Sequence, residues 1–389
     1  MIVKRLISDQ IIQSPKSILL LGPRQTGKST LLATLTADLT INLAKENEFL
    51  RYSSDSDLFL NQMENTNINT VFIDEIQRIP ELLNSIQAII DEFGRESQSN
   101  KKHSIKFLLS GSSARKLRRG HANLLPGRIF TYQLSGICAK EVNYKLDILK
   151  ALKHGFLPEA FFEQDHTICE KLLESYAATY LKEEIQAEAL TRNINGFARF
   201  LMTLAPASGQ ILDFSKLSTK AKVSRTSSVR FVEILEDTLI AQRIPVFEDA
   251  PNADIIYHPK FYFFDLGVLN GLLNNFNVSP DRKGILFEHL VYSQIRNSAI
   301  AHDLPIDIRF FRTRHGLEVD FIIKFKNNIW AIEVKSGDIT AQDLNNLQMF
   351  RKYYPNVYKS VLVAPQEKVR TKDGILICDL ITLLQEMGL

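Results

Sequence analysis

The amino-acid sequence predicts an α/β fold built on a parallel sheet, with a second α/β segment near its C-terminal end. Three observations predict it. The apolar runs SILLLG, INTVFIDE and IKFLLSGSS alternate with helical stretches over the first third of the chain, the pattern of a parallel sheet flanked by helices. Phe197, Phe200, Leu201 and Leu204 then recur at helical spacing inside a mostly helical middle. After Asn252 the texture changes to aromatic-rich strands, IIYHPKFYFFD, followed by a new α/β pattern. A chain of 389 residues exceeds one comfortable core, so several domains are expected. They divide as 1–135 (parallel sheet), 136–195 (helical linker or lid), 196–252 (helix-turn-helix with a wing) and 253–389 (second α/β segment).

The first element with chemistry is the run Gly22-Pro-Arg24-Gln25-Thr26-Gly27-Lys28-Ser29-Thr30, which satisfies G-x-x-x-x-G-K-[ST] between the strand SILLL and the helix STLLATL. Glycines let consecutive backbone N–H groups curl around phosphate oxygens. Lys28 is expected to reach the β- and γ-phosphates of ATP, and the Ser29 hydroxyl to sit on Mg²⁺. Downstream, Val71-Phe-Ile-Asp74-Glu75 is an apolar strand ending in two acids, and isolated charges there are costly without a cation nearby. Asp74 would hold Mg²⁺ through water and Glu75 would polarise the attacking water. At the end of IKFLL, Ser112 offers a hydroxyl that would sense the γ-phosphate. Arg128, in LLPGRIF, reads either as an arginine finger for a neighbouring subunit or as an ordinary surface arginine.

Composition narrows the setting. The hydrophobic fraction of 45% and charged fraction of 23% are those of a globular protein. No run approaches the ~18 apolar residues of a membrane span. The start, MIVKRLISDQIIQSPKSILLL, lacks a small-residue cleavage site and reads as mature protein. Three widely spaced cysteines, Cys138, Cys169 and Cys378, form neither a disulfide framework nor a zinc pattern and point to a reducing, cytoplasmic setting. A net charge of +3 permits nucleic-acid contact without demanding it. The clusters Lys101-Lys102 and Arg115-Lys116 with Arg118-Arg119 read first as solvated faces, and the polar run from Arg95 to Ser104 as a surface loop.

GPRQTGKST, FIDEIQRIPEL, LSGSS, LPGR and GFLPEA together resemble the prokaryotic AAA-type ATPases whose C-terminal domain was long classed as of unknown function. The likeness runs over essentially the whole chain. Beside the winged helix read from the residues of 196–252, it implies an AAA-like P-loop ATPase core, a helical region and a C-terminal domain related to restriction-endonuclease folds.

The C-terminal residues carry a reading of their own. Glu318 to Lys335 reads as two strands joined at Asn327-Asn328, a pair suited to a tight hairpin that needs φ > 0. That loop would set Asp320 opposite Lys335 and Glu333 opposite Ile322, all on one sheet face. The order D-x(n)-E-x-K resembles the metal-dependent PD-(D/E)xK nucleases, although Val319 stands where a proline is often found. Asp320 and Glu333 would then hold Mg²⁺, with Lys335 positioning or deprotonating its water. Glu288 sits on a predicted helix whose same face carries Ile285, Tyr292 and Ile295, so it needs a partner; the nuclease-like pattern offers a metal or water near Asp320. The bland alternatives are a structural salt bridge across an exposed hairpin and, for Glu288, simple exposure.

In the winged segment, Arg230, Glu233 and Asp237 share the polar face of the second helix, and two acids there argue against a strongly DNA-binding recognition helix. A sequence-specific transcription factor would rest on this winged helix alone, and its acidic face counts against it, so two other functions are expected first. In one, an ATPase couples its nucleotide state to a nuclease-like domain that binds or cleaves DNA with Mg²⁺. In the other, the C-terminal domain is catalytically inactive and the protein is a nucleotide-dependent switch. A homo-oligomer would follow if Arg128 served a neighbour's nucleotide.

Overall fold

The computed structural model describes residues 3–64, 68–97, 105–112, 125–180, 193–250, 253–365 and 368–389. The basic clusters at 101–102 and 115–119, and the stretch 181–192 of the expected helical region, lie outside the described residues. The chain divides into two compact units, 2–135 with 237–239, and 136–236 with 240–389.

The first unit is built on a five-stranded parallel sheet. Its strands are β1 (Ser17–Leu21), β2 (Leu39–Asn42), β3 (Thr70–Asp74), β4 (Lys106–Gly111) and β5 (Ile129–Gln133), in the order β2-β3-β4-β1-β5. The apolar runs of the sequence are β1, β3 and β4, and each is buried almost throughout, as parallel strands covered on both faces must be. Register decides what happens at their carboxyl ends. Leu20 pairs with Ser110, Ile73 with Leu109 and Asn42 with Asp74, so Gly22, Asp74 and Ser112 finish at one edge of the sheet. That edge is where open α/β sheets bind ligands. The helix Leu82–Ser97 runs into the polar stretch from Arg95, which the sequence had suggested as loop.

The second unit begins with short helices and contains the segment expected to be a winged helix. Three helices, Ile194–Leu204, Phe214–Ala221 and Arg225–Asp237, are followed by β6 (Ala241–Ile244), which pairs antiparallel with β7 (Lys260–Phe263). Asn193 and Asp213 start the first two helices by accepting backbone N–H bonds, Asp213 from Ser215 and Lys216, each at 3.0 Å. β7 faces two ways. Phe261 and Phe263 enter the apolar core of the three helices, while Tyr262 enters the core of the C-terminal sheet.

That sheet has six strands in the order β12-β13-β11-β10-β9-β8. They are β8 (Asp307–Arg312), β9 (Glu318–Phe325), β10 (Asn328–Val334), β11 (Lys359–Val363), β12 (Arg370–Lys372) and β13 (Ile375–Cys378). β8, β9 and β10 run antiparallel, and β10, β11 and β13 parallel. Helices Pro280–Ala301, Ala341–Tyr353 and Leu380–Met387 supply Leu290, Leu347 and Leu383 to its core. The glycine of GFLPEA has a steric reason. Gly155 has φ +67°, and a Cβ there would stand 2.2 Å from Asp265 Oδ1. Asp265 is buried beneath it, capping Val268 N at 3.1 Å and accepting from Phe156 N.

Candidate nucleotide site and C-terminal carboxylate cluster

The glycine loop leaves β1 and enters the helix Lys28–Ala33. Gly22 has no room for a side chain: a Cβ would meet the Leu134 carbonyl oxygen at 2.1 Å. Gln25 and Gly27 adopt left-handed backbone angles, φ 58° and 92°, which coil the loop on itself. Thr26 is buried, and its Oγ1 donates to Pro23 O at 2.8 Å. Arg24 is half-buried, Gln25 is exposed on the loop, and Thr30 is exposed on the helix Lys28–Ala33. Lys28 is buried too, with Nζ donating to Gly22 O at 2.9 Å and Pro23 O at 2.8 Å. Arg5 belongs to no motif of the sequence. Its guanidinium donates to Thr26 O and Ser135 O, each at 2.8 Å, and so braces the loop against the end of β5.

Around the loop the acids and hydroxyls converge. Ser29 Oγ donates to Asp74 Oδ1 at 2.8 Å, and Ser110 Oγ donates to the same oxygen. Glu75 takes a left-handed conformation, φ 59°, with its N–H on Ser110 Oγ at 3.2 Å. Gln77 is buried and bridges the site, donating through Nε2 to Glu75 and to Ser112 Oγ at 2.9 Å. Gln77 is the second residue that sequence reasoning passed over, although it lies two places beyond Glu75 in FIDEIQ. Arg128 is elsewhere. It precedes β5, whose Ile129 pairs with Ser17 at the opposite end of β1 from the loop. Its guanidinium grips Asp91 with two bonds, Nε to Oδ1 at 2.5 Å and NH2 to Oδ2 at 2.8 Å. The donor set at Ser29 and Asp74 is all oxygen, with one carboxylate, which fits Mg²⁺ shared with phosphates.

The C-terminal constellation assembles differently from the expected hairpin. The loop is Lys326-Asn327, both at positive φ (47° and 63°), and Phe325 pairs with Asn328. Ile332 pairs with Phe321, so the next step along the ladder sets Asp320 beside Glu333, and Lys335 is not its partner. The expected register is thus corrected by two residues. A two-residue shift leaves every side chain on the same face, so the expected sharing of one face by Asp320, Glu333 and Lys335 is kept.

The larger departure is Lys260. Its buried ammonium lies 3.1 Å from Glu288 Oε1, 2.9 Å from Glu318 Oε1 and 3.6 Å from Asp320 Oδ1. Tyr262, two residues along β7, donates its hydroxyl to the same Glu288 oxygen. Glu288 thus has its partner, but that partner is a lysine and a tyrosine of the same chain. Asp320 Oδ2 accepts from Val334 N at 2.9 Å. Lys335 pairs with Glu333 Oε1 at 2.9 Å and Asp343 at 3.4 Å. Glu333 Oε2 is buried without a hydrogen-bond partner among the described residues. Burial first, and the nearby Asp320 charge second, push the Glu288 and Glu333 carboxyls up from their ordinary range. Burial pulls the Lys260 ammonium down, but Glu288, Asp320 and Glu318 outweigh it and raise it well above a normal lysine. Among the described residues no group of three or more His, Cys, Asp or Glu is arranged to hold a metal. Asp320 and Glu333, expected as ligands, each face an ammonium of the same chain, Lys260 at 3.6 Å from Asp320 and Lys335 at 2.9 Å from Glu333.

Comparison with known proteins matches three successive segments of the chain. Residues 14–143 match the family model of an AAA domain. Residues 145–279 and 283–383 match two domains of unknown function, DUF8612 and DUF4143. The chain therefore carries a P-loop AAA domain followed by a DUF4143 domain. Uncharacterized proteins of Mycobacterium bovis and Mycobacterium tuberculosis are each 24% identical over 379 residues, covering 92% of this chain and 82% of theirs. Among solved structures, the replication initiator DnaA bound to AMPPCP and single-stranded DNA covers 59% of this chain and 86% of its own at 11% identity, with a TM-score of 0.26. A protein from Vibrio cholerae covers 96% of this chain and 93% of its own at 12% identity, with a TM-score of 0.18. Scores of that size leave the fold to rest on the strands and registers above. No helix of the described residues is long and apolar enough to cross a membrane.

Proposed function

We propose that the chain is an ATP-driven switch: the AAA domain binds ATP with Mg²⁺ and hydrolyses it, and the C-terminal domain responds without cutting nucleic acid. The observation that carries the first half is the contact of Ser29 Oγ with Asp74 Oδ1, at 2.8 Å, beside the buried Lys28. Hydroxyl, carboxylate and ammonium are then the three groups a nucleotide triphosphate needs at one sheet edge. When ATP enters, Lys28 exchanges its bonds to the Gly22 and Pro23 carbonyls for phosphate oxygens, a stronger, charge-assisted pairing. Bound at Ser29 and Asp74, Mg²⁺ would neutralise charge on the phosphates. Glu75 orients the attacking water, and Gln77 holds that carboxylate while touching Ser112, so a change at Ser112 reaches the base directly. Arg128 is engaged by Asp91, and this mechanism makes no use of it.

For the C-terminal domain two readings compete, DNA binding or cleavage with Mg²⁺ at Asp320, Glu333 and Lys335, and a non-cleaving response module. Lys260 among the carboxylates favours the second. The test is steady-state turnover alongside incubation with DNA in Mg²⁺ or Mn²⁺. The proposal expects ATP hydrolysis that Glu75→Gln abolishes, and intact DNA. Absence of Mg²⁺-dependent ATP hydrolysis rejects the first half, and DNA cutting lost in Asp320→Asn rejects the second.

A further inference from the structure

We propose that Lys260 is a resident cation of the C-terminal domain: its ammonium takes the place of a metal ion among Glu288, Glu318 and Asp320 and keeps divalent cations out. This deepens the non-cleaving reading of that domain. A buried cluster of carboxylates must be neutralised by protons, by a metal or by a basic side chain. Here a lysine with three donors meets three carboxylates, at 3.1, 2.9 and 3.6 Å, over the face of the Phe310 ring. A Mg²⁺ or Mn²⁺ ion bonded to Asp320 at about 2.1 Å would stand beside this ammonium, and two cations at such a distance repel strongly in a buried site.

The ammonium is held there by more than its ion pairs. Lys260 pairs with Ile244 in the β6–β7 ladder and bridges to Ile211, and its neighbours Phe261 and Phe263 are locked in the core of the three helices. Alternation along β7 sends Lys260 and Tyr262 together to Glu288. One strand, anchored in the helical segment, therefore delivers the cation shared by Glu288 of the helix Pro280–Ala301 and the β9 acids Glu318 and Asp320, and the hydroxyl that bonds Glu288. The lysine fills the point these oxygens surround.

Manganese binding to the full chain tests this, with no nucleotide present and in a Ser29→Ala background that weakens the glycine-loop site, so that dependence on Asp320 marks the C-terminal one. The expected result is no Asp320-dependent Mn²⁺ binding with Lys260 present. Lys260→Met keeps the stem and removes the charge; it should bind Mn²⁺ about ten-fold or more tightly than the parent and lose that gain with Asp320→Asn. Melting curves report the same event, with Mn²⁺ raising the melting temperature of the Lys260→Met protein only. Should that variant fail to fold, Lys260→Met with Glu288→Gln restores charge balance and leaves Glu318 and Asp320 for the ion. Mn²⁺ binding in the parent that Asp320→Asn removes overturns the proposal, as does a folded Lys260 variant that gains none. Incubating the parent chain with DNA and Mn²⁺ scores the non-cleaving reading itself, separately from the metal-binding outcome.

Discussion

Ser29 Oγ and Asp74 Oδ1 lie 2.8 Å apart although 45 residues separate them in the chain. Parallel pairing achieves this: β4 joins both β1 and β3, so the loop after β1 and the acid ending β3 meet at one edge. Removing the hydroxyl in Ser29→Ala should leave nucleotide binding in EDTA nearly unchanged and weaken the Mg²⁺-dependent increment, by on the order of ten-fold for one lost ligand. Fluorescent-nucleotide titration with and without Mg²⁺ checks it.

Glu75 and Gln77 make a separable pair. Glu75→Gln should bind ATP normally and lose about 10² to 10⁴ in turnover, the range of a general base. Gln77→Ala frees the same carboxylate without removing it, so kcat should fall less, with KM little changed. A Gln77→Ala protein with full kcat would show that the bond to Glu75 is incidental.

Gly155 allows a stability test remote from both sites. A Cβ there meets Asp265 Oδ1 at 2.2 Å and Gly267 N at 2.4 Å, at a φ of +67°. Gly155→Ala should cost about 2 kcal/mol or more, through overpacking and backbone strain. Denaturant unfolding measures it, and a change within error would contradict the packing described.

The Glu333 carboxyl gives stability a pH dependence. Burial, then Asp320 and Glu318 on β9, push it up to about 8, against the pull of Lys335. Lys335 also pairs with Asp343 from the helix Ala341–Tyr353. A carboxyl that holds its proton more tightly when folded contributes stability that is complete below its unfolded value of 4.5 and is lost as pH rises through about 8. Glu333→Gln should therefore gain melting temperature relative to wild type as pH increases across that window. Parallel melting curves for the two proteins, with no divergence from pH 5 to pH 8, would contradict it.

How much of this was legible depends on distance along the chain. Lys28, Ser29 and their glycines were readable because the phosphate loop is a local motif, and Asp74 because a buried strand rarely ends in two acids. β2 and β5 were not singled out, since LTIN and IFTYQ bury only part of their side chains. The hairpin register escaped for a sharper reason. Moving the loop from Asn327-Asn328 to Lys326-Asn327 changes the pairing by two, so hydrophobic alternation is the same in both. Lys260 carries no motif at all. Its role comes from β7 pairing with β6 while facing acids 28 to 60 residues further on, Glu288 on the helix Pro280–Ala301 and Glu318 and Asp320 on β9, a relation that only the fold creates. Arg5 is hidden likewise, 21 residues ahead of the carbonyl it braces.

The central claim is that the edge bearing Lys28, Ser29 and Asp74 grips a nucleoside triphosphate. Isothermal calorimetry of the full chain with ATP and Mg²⁺ tests it most directly. Saturable binding that falls by on the order of 10- to 100-fold in Lys28→Ala, as loss of charge-assisted phosphate bonds requires, is the predicted result. No heat of association with the wild-type chain, or equal binding by the two proteins, would contradict it.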